Sequence, residues 1–237
     1  MFERDELLNW LVKIGMRVNS TVSIYMIGGG ALSFKNIKPS TKDIDIIVKS
    51  KADFDILDKA IKEEGFELLT DIEDEFYITA LAVFVKEESR IDIFLNQVGK
   101  MLFLSPSMIK RAQEFRQFGK LNILLISNED IFLFKSMTPR QGDIDDCDRL
   151  IKEGLDYDVM YEEIMEQSKK ENKWFFWMFE KICKIEEFNN TRIPIKNKLY
   201  ELITQHWEQR PSDFMSQIDN LEEHIPDSKL RKEINNN

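Results

Sequence analysis

Ile27-Gly28-Gly29-Gly30-Ala31-Leu32 and, after a loop, Thr41-Lys42-Asp43-Ile44-Asp45-Ile46-Ile47-Val48 decide how this chain reads. The first stretch ends a β-branched and aromatic run, Val22 to Ile27, which predicts a strand. It leads into Ala31-Leu32-Ser33-Phe34, the start of a helix. Strand, glycine turn and helix make a phosphate-binding arrangement, because glycine lets the backbone approach closely and a helix start points free N–H groups outward. Three glycines alone are as readily a plain tight turn.

The second stretch sharpens the reading. Alternate residues on a strand leave the same face, so Asp43 and Asp45 stand side by side, about 6–7 Å apart at the backbone. Two carboxylates in an otherwise apolar strand repel each other, and a hard divalent cation such as magnesium offsets that repulsion. Asp92 is a third acid within an apolar strand, Arg90 to Leu95. If the two strands pair, three carboxylates converge, the arrangement that holds metal ions at phosphoryl-transfer sites. Each acid taken singly is as readily a solvated strand residue.

Working outward, residues 3–17 have the apolar spacing of an amphipathic helix, and residues 53–64 another, ended by Gly65. Phe66 to Leu69 is a short strand, and Asp71 to Glu75 an acidic connection. Phe76–Val85 and Arg90–Leu95 read as a hairpin. Ser105-Pro106 caps a helix expected over residues 106–118. Leu121–Ile126 is a strand, and Ser127 with Asp130 starts a capped helix carrying Lys135. From about residue 143 the pattern is helical nearly to the polar tail Lys232–Asn237. The expected fold is α+β: a mixed sheet with flanking helices over residues 1–142, followed by a helical bundle over 143–237.

Composition narrows the function classes. The 237 residues hold 43 acids against 33 Lys and Arg, a formal charge of -10. Such a chain does not bind nucleic acid through a general basic surface. Cys147 and Cys183, with His206 and His224, give neither a disulfide framework nor zinc-ligand spacing. The charged N-terminus lacks a secretory h-region, and no apolar run reaches a membrane span, so a cytoplasmic protein with no membrane partner is expected. In the helical half, Trp174-Phe175-Phe176-Trp177 and Phe179 cover much of one helix, beside Lys169, Lys170, Lys173, Lys181 and Lys184. Core packing, a protein partner, self-association and a base-stacking platform are the readings of that helix.

The Ile27–Leu32 turn followed by Thr41–Asp45 resembles the signature of the polymerase-beta-like nucleotidyltransferase superfamily. That resemblance implies a glycine turn, here Gly28 and Gly29 with Ser33, that holds a nucleoside triphosphate. It implies magnesium on Asp43 and Asp45, with Asp92 as the third acid that assists the acceptor hydroxyl. Glu129–Lys135, with Arg140 and Asp143-Ile144-Asp145-Asp146, is similar to later motifs of the abortive-infection toxin branch, often the toxin halves of toxin–antitoxin pairs. This implies a nucleotide contact for Lys135 and an auxiliary pair, Asp143 and Asp146. Many members carry an arginine two residues before the threonine; here Pro39 stands there and Lys38 is one residue displaced. The implied reaction moves a nucleoside monophosphate from a triphosphate to a hydroxyl, with release of pyrophosphate. The acceptor is an RNA or transfer-RNA end, a small molecule or a protein hydroxyl. The alternative is a non-catalytic nucleotide-binding module of the same fold, serving regulation or interaction.

Overall fold

The structure, a computed structural model, describes residues 2–70, 80–98, 102–137, 140–169 and 174–209. The expected acidic connection at 71–75, the start of the strand expected from Phe76, and the tail at 232–237 lie outside the described residues. The chain divides into two compact units, Met1–Lys135 and Ser136–Asn237.

In the first unit, β1 (Phe2–Glu3) runs into α1 (Arg4–Arg17), then β2 (Val22–Met26), α2 (Gly28–Phe34), β3 (Ser40–Thr41), β4 (Asp43–Val48) and α3 (Lys51–Glu63). There follow β5 (Glu67–Leu68), β6 (Ala82–Lys86), β7 (Ser89–Leu95), β8 (Gln97–Val98), β9 (Leu102–Phe103), α4 (Pro106–Arg111), β10 (Gln113–Phe118), β11 (Leu121–Leu125) and α5 (Asn128–Ser136). Seven strands form one sheet in the order β10-β11-β2-β4-β7-β6-β5. The pairs β11·β2 and β4·β7 are parallel and the others antiparallel, so the sheet is mixed.

The core follows from the apolar runs. Ile24, Met26, Ile46, Ile47, Ile91 and Ile93 are all buried, and Leu7, Leu11 and Ile14 of α1 pack as one helical face. Strands buried on both sides read as near-continuous apolar sequence, which is why polar residues inside them stand out.

One expected element is corrected. The helix over 106–118 ends at Arg111, and Gln113–Phe118 instead pairs antiparallel with Leu121–Leu125. Gly119, at φ +57°, makes the reversal possible. The helical spacing of 106–118 lost to a glycine turn that lets the segment join the sheet edge. Ser105 caps α4 as expected, accepting a hydrogen bond from the Met108 N–H at 3.0 Å. Arg111 then anchors α5. Its guanidinium holds the fully buried Asp130 by two bonds, 2.6 and 3.2 Å, while the Ser127 hydroxyl donates to the same carboxylate at 2.9 Å.

The second unit holds α6 (Gln141–Glu153), α7 (Tyr157–Ser168), α8 (Trp174–Asn189) and α9 (Ile195–Gln209). Its core contains Leu150, Met160, Ile164, Phe175, Met178, Phe179, Ile182, Leu199 and Ile203. Phe175 and Phe179 of the aromatic run are thus core residues. Cys147 and Cys183 are both buried, and neither is in a disulfide. No helix among the described residues is long and apolar enough to cross a membrane.

In α1, Gly15 lies directly on Phe118: a Cβ added there would fall 2.6 Å from Phe118 Cβ and 2.7 Å from its carbonyl oxygen. Helix propensity alone favours Gly15→Ala by about 1 kcal/mol. Overpacking opposes it by about 1–3 kcal/mol. Backbone contact leaves little room to yield, so the variant is expected to lose about 1–2 kcal/mol in urea unfolding. A gain in stability would show that α1 shifts freely over β10.

Candidate active site

The site is built by sheet register. β2 and β4 run antiparallel, so the end of β2 that enters the glycine turn meets the start of β4; the Ile27 N–H donates to the Asp45 carbonyl at 3.1 Å. β4 and β7 run parallel with Asp43 opposite Arg90 and Asp45 opposite Asp92. Register partners present their side chains to one face. Asp43, Asp45, Arg90 and Asp92 therefore form a charged patch on one side of two strands whose intervening residues, Ile44 and Ile91, are buried on the other. Asp92 is completely buried, and Asp43 and Asp45 are half-buried.

The glycine turn lies against this patch. α2 begins at Gly28 itself rather than after the glycines. Gly28 has φ +61°, and a Cβ there would fall 2.0 Å from Asp45 Oδ2. Both backbone conformation and close approach demand glycine. A Cβ on Gly29 would fall 2.3 Å from Thr41 Oγ1 and 3.9 Å from Lys38 Nζ, so the Lys38 ammonium reaches the turn. Thr41 is buried and donates from Oγ1 to the Asp43 carbonyl at 3.3 Å. Its segment is fixed by β1, with Phe2 opposite Thr41 and Glu3 opposite Ser40. Ser33 lies lower in α2, fully buried, and its Oγ has no hydrogen-bond partner among the described residues.

Arg90 is the residue that sequence reasoning missed. Its Nε donates to Asp92 Oδ1 at 2.7 Å. The signal was present, since Arg90 and Asp92 are two apart on a strand and share a face. Lys38 was noted only as a displaced cation. Lys135 is half-buried near the end of α5. Asp143 and Asp146 belong to the second unit, three apart on α6, the first half-buried and the second buried.

Three carboxylates on one face are the oxygen donors a hard cation takes, and Gly28 leaves the space in which Asp45 Oδ2 lies. In donor chemistry the patch fits magnesium. Among the described residues no three His, Cys, Asp or Glu side chains converge tightly enough to grip a metal ion, and Arg90 occupies Asp92 Oδ1.

A mixed sheet with a glycine turn beside paired carboxylates is the arrangement that the resemblance to nucleotidyltransferases implied. The chain belongs to the family described as nucleotidyltransferase of unknown function (DUF6036), which matches residues 2–193. No curated protein matches the sequence. Among solved structures, ANT(2")-Ia in complex with adenylyl-2"-tobramycin is similar at 12% identity and TM-score 0.47, over 69% of this chain and 98% of that one. A nucleotidyltransferase from Thermotoga maritima is similar at 17% identity and TM-score 0.41, over 64% and 94%. An antigenic nucleotidyltransferase-like protein from Paracoccidioides brasiliensis is similar at 14% identity and TM-score 0.43, over 73% and 91%.

Gly28→Ala combines left-handed strain with collision against Asp45, and about 2–4 kcal/mol of stability should be lost in urea unfolding. Gly29→Ala, without the positive φ, should cost less. Equal costs would mean that the backbone at Gly28 relaxes without strain.

Lys35, just past α2, supplies a pH test. Burial pushes its ammonium below the usual lysine range, and Glu129 and Asp130 pull it part of the way back. A cation with a depressed folded pKa carries its full stability cost below that pKa. The cost fades as pH rises toward the unfolded value of about 10.4. The parent should therefore gain stability relative to Lys35→Met over the interval just below that value. Parallel stability curves for the two proteins would contradict the shift.

Proposed function

We propose that this protein is a magnesium-dependent nucleotidyltransferase that moves a nucleoside monophosphate from a nucleoside triphosphate to a hydroxyl, releasing pyrophosphate. The observation that carries the reading is Asp45 in register with Asp92, with the Gly28 turn closed onto Asp45. Asp43, Asp45 and Asp92 would hold magnesium, which when bound neutralises the triphosphate and favours in-line displacement. Gly28 and Gly29 would hold phosphate oxygens through backbone N–H groups that precede the first intrahelical bond of α2. Ser33 would line the phosphates with them, and Lys38 would add charge beside the turn.

The acceptor oxygen bonds to the α-phosphorus as the bond to the bridging oxygen of pyrophosphate breaks. Its proton passes to the Asp92 carboxylate. Lys135 is proposed as a nucleotide contact, and Asp143 with Asp146 as an auxiliary pair carried by the helical domain, with the domains divided at residues 142 and 143. The toxin-branch resemblance makes an RNA end, including that of transfer RNA, the acceptor to try first. A charge of -10 calls for a small footprint on such a partner.

The test incubates the protein with each labelled nucleoside triphosphate, magnesium and pooled cellular RNA, with small-molecule and protein fractions in parallel. Label should enter one acceptor class with the parent and not with Asp43→Ala/Asp45→Ala. Asp92→Asn should slow transfer about 10²–10⁴-fold. Equal incorporation by parent and double variant would refute catalysis at this patch. Nucleotide binding without any pyrophosphate release would favour a binding module instead.

A further inference from the structure

The charged patch contains a cation of its own. Asp92 is completely buried, and a buried carboxylate needs a counter-charge or hydrogen bonds to remain ionised. Arg90 meets it from the same strand face at 2.7 Å, a charge-assisted bond, with its own side chain one-quarter exposed. The register also sets Arg90 directly opposite Asp43. Three negative side chains and one positive one therefore share the face of β4 and β7, and the guanidinium occupies an oxygen that a divalent cation would use.

We propose that Arg90 is the resident counter-ion of this patch and competes with the divalent cation for Asp92. Resting on the nucleotidyltransferase reading of the site, the inference adds a control on cation loading. With no divalent ion, Arg90 offsets the mutual repulsion of Asp43, Asp45 and Asp92 and keeps the patch folded. A divalent cation held by Asp43, Asp45 and Asp92 would have to draw Asp92 away from Arg90, whose guanidinium would then be released. Loading is thereby weakened in the absence of nucleotide, because the ion must displace a charge already in place. Arg90 is a positioning residue: it acts through Asp92.

Thermal unfolding of the full chain, with and without magnesium or manganese and with no nucleotide, reads this directly. Arg90→Met should lower the metal-free Tm by at least about 4 °C. It should bind the divalent ion about tenfold more tightly than the parent, and so show the larger Tm rise on titration. Arg90→Lys, which keeps the charge without the fork, should lie between. Arg90→Met/Asp92→Asn should recover much of the metal-free stability, since the uncompensated charge is gone. That double variant decides the matter if Arg90→Met does not fold: its folding supports the counter-ion role, and its failure refutes it. A destabilised Arg90→Met with unchanged cation affinity would make Arg90 a mere strut and overturn the competition, leaving the site reading intact. Tm values of parent and Arg90→Met that both ignore divalent ions would overturn both.

Discussion

The parallel ladder between β4 and β7 governs everything at the site. Side chains on a strand alternate, so the alignment of Asp45 with Asp92 decides at once which charges share a face and which apolar residues cover the other. A slip of one residue would send Asp92 into the core and bring Ile91 or Ile93 out beside Asp45. The apolar neighbours oppose that slip: Ile91 and Ile93 are buried, and a slip of β7 would put Arg90 and Asp92 in their places. The core thus specifies the site, although none of its members needs to touch a substrate.

Around that ladder the chain concentrates polar groups that are costly to bury and gives them close partners. Asp92 has Arg90, and Asp130 has Arg111 with Ser127. The two pairs differ in setting. Arg111 grips with two nitrogens and fixes the beginning of α5, a structural anchor. Arg90 stands among three carboxylates, where the balance of charge is negative and another cation is favoured. The same chemistry therefore gives rigidity in one place and a controllable site in the other.

Much of the architecture was legible because its signals are local. The strand before the glycines, the Asp43–Val48 strand, the helix read over 53–64 and found at Lys51–Glu63, and the helical second unit all follow from period and glycine punctuation, while the Ser50 cap was not read. The failure at 113–118 has a physical cause: Phe115 and Phe118 fit a helical repeat, while the deciding influence was pairing across Gly119. Brief strands such as Phe2–Glu3 and Ser40–Thr41 carry no periodicity and exist only through each other. At the site, the acids stood out against apolar neighbours. Arg90 was passed over although its spacing from Asp92 put both on one face, because a basic residue at a strand start ordinarily reads as solvated; its place opposite Asp43 comes from the register.

The pairing of Phe2–Glu3 with Ser40–Thr41 bears on how the molecule can be handled. Thr41 abuts Gly29, so anything fused ahead of Phe2 would emerge next to the turn. An affinity handle there would crowd the glycine turn, and a cationic or histidine-rich one would also add foreign ligands for metal and phosphate.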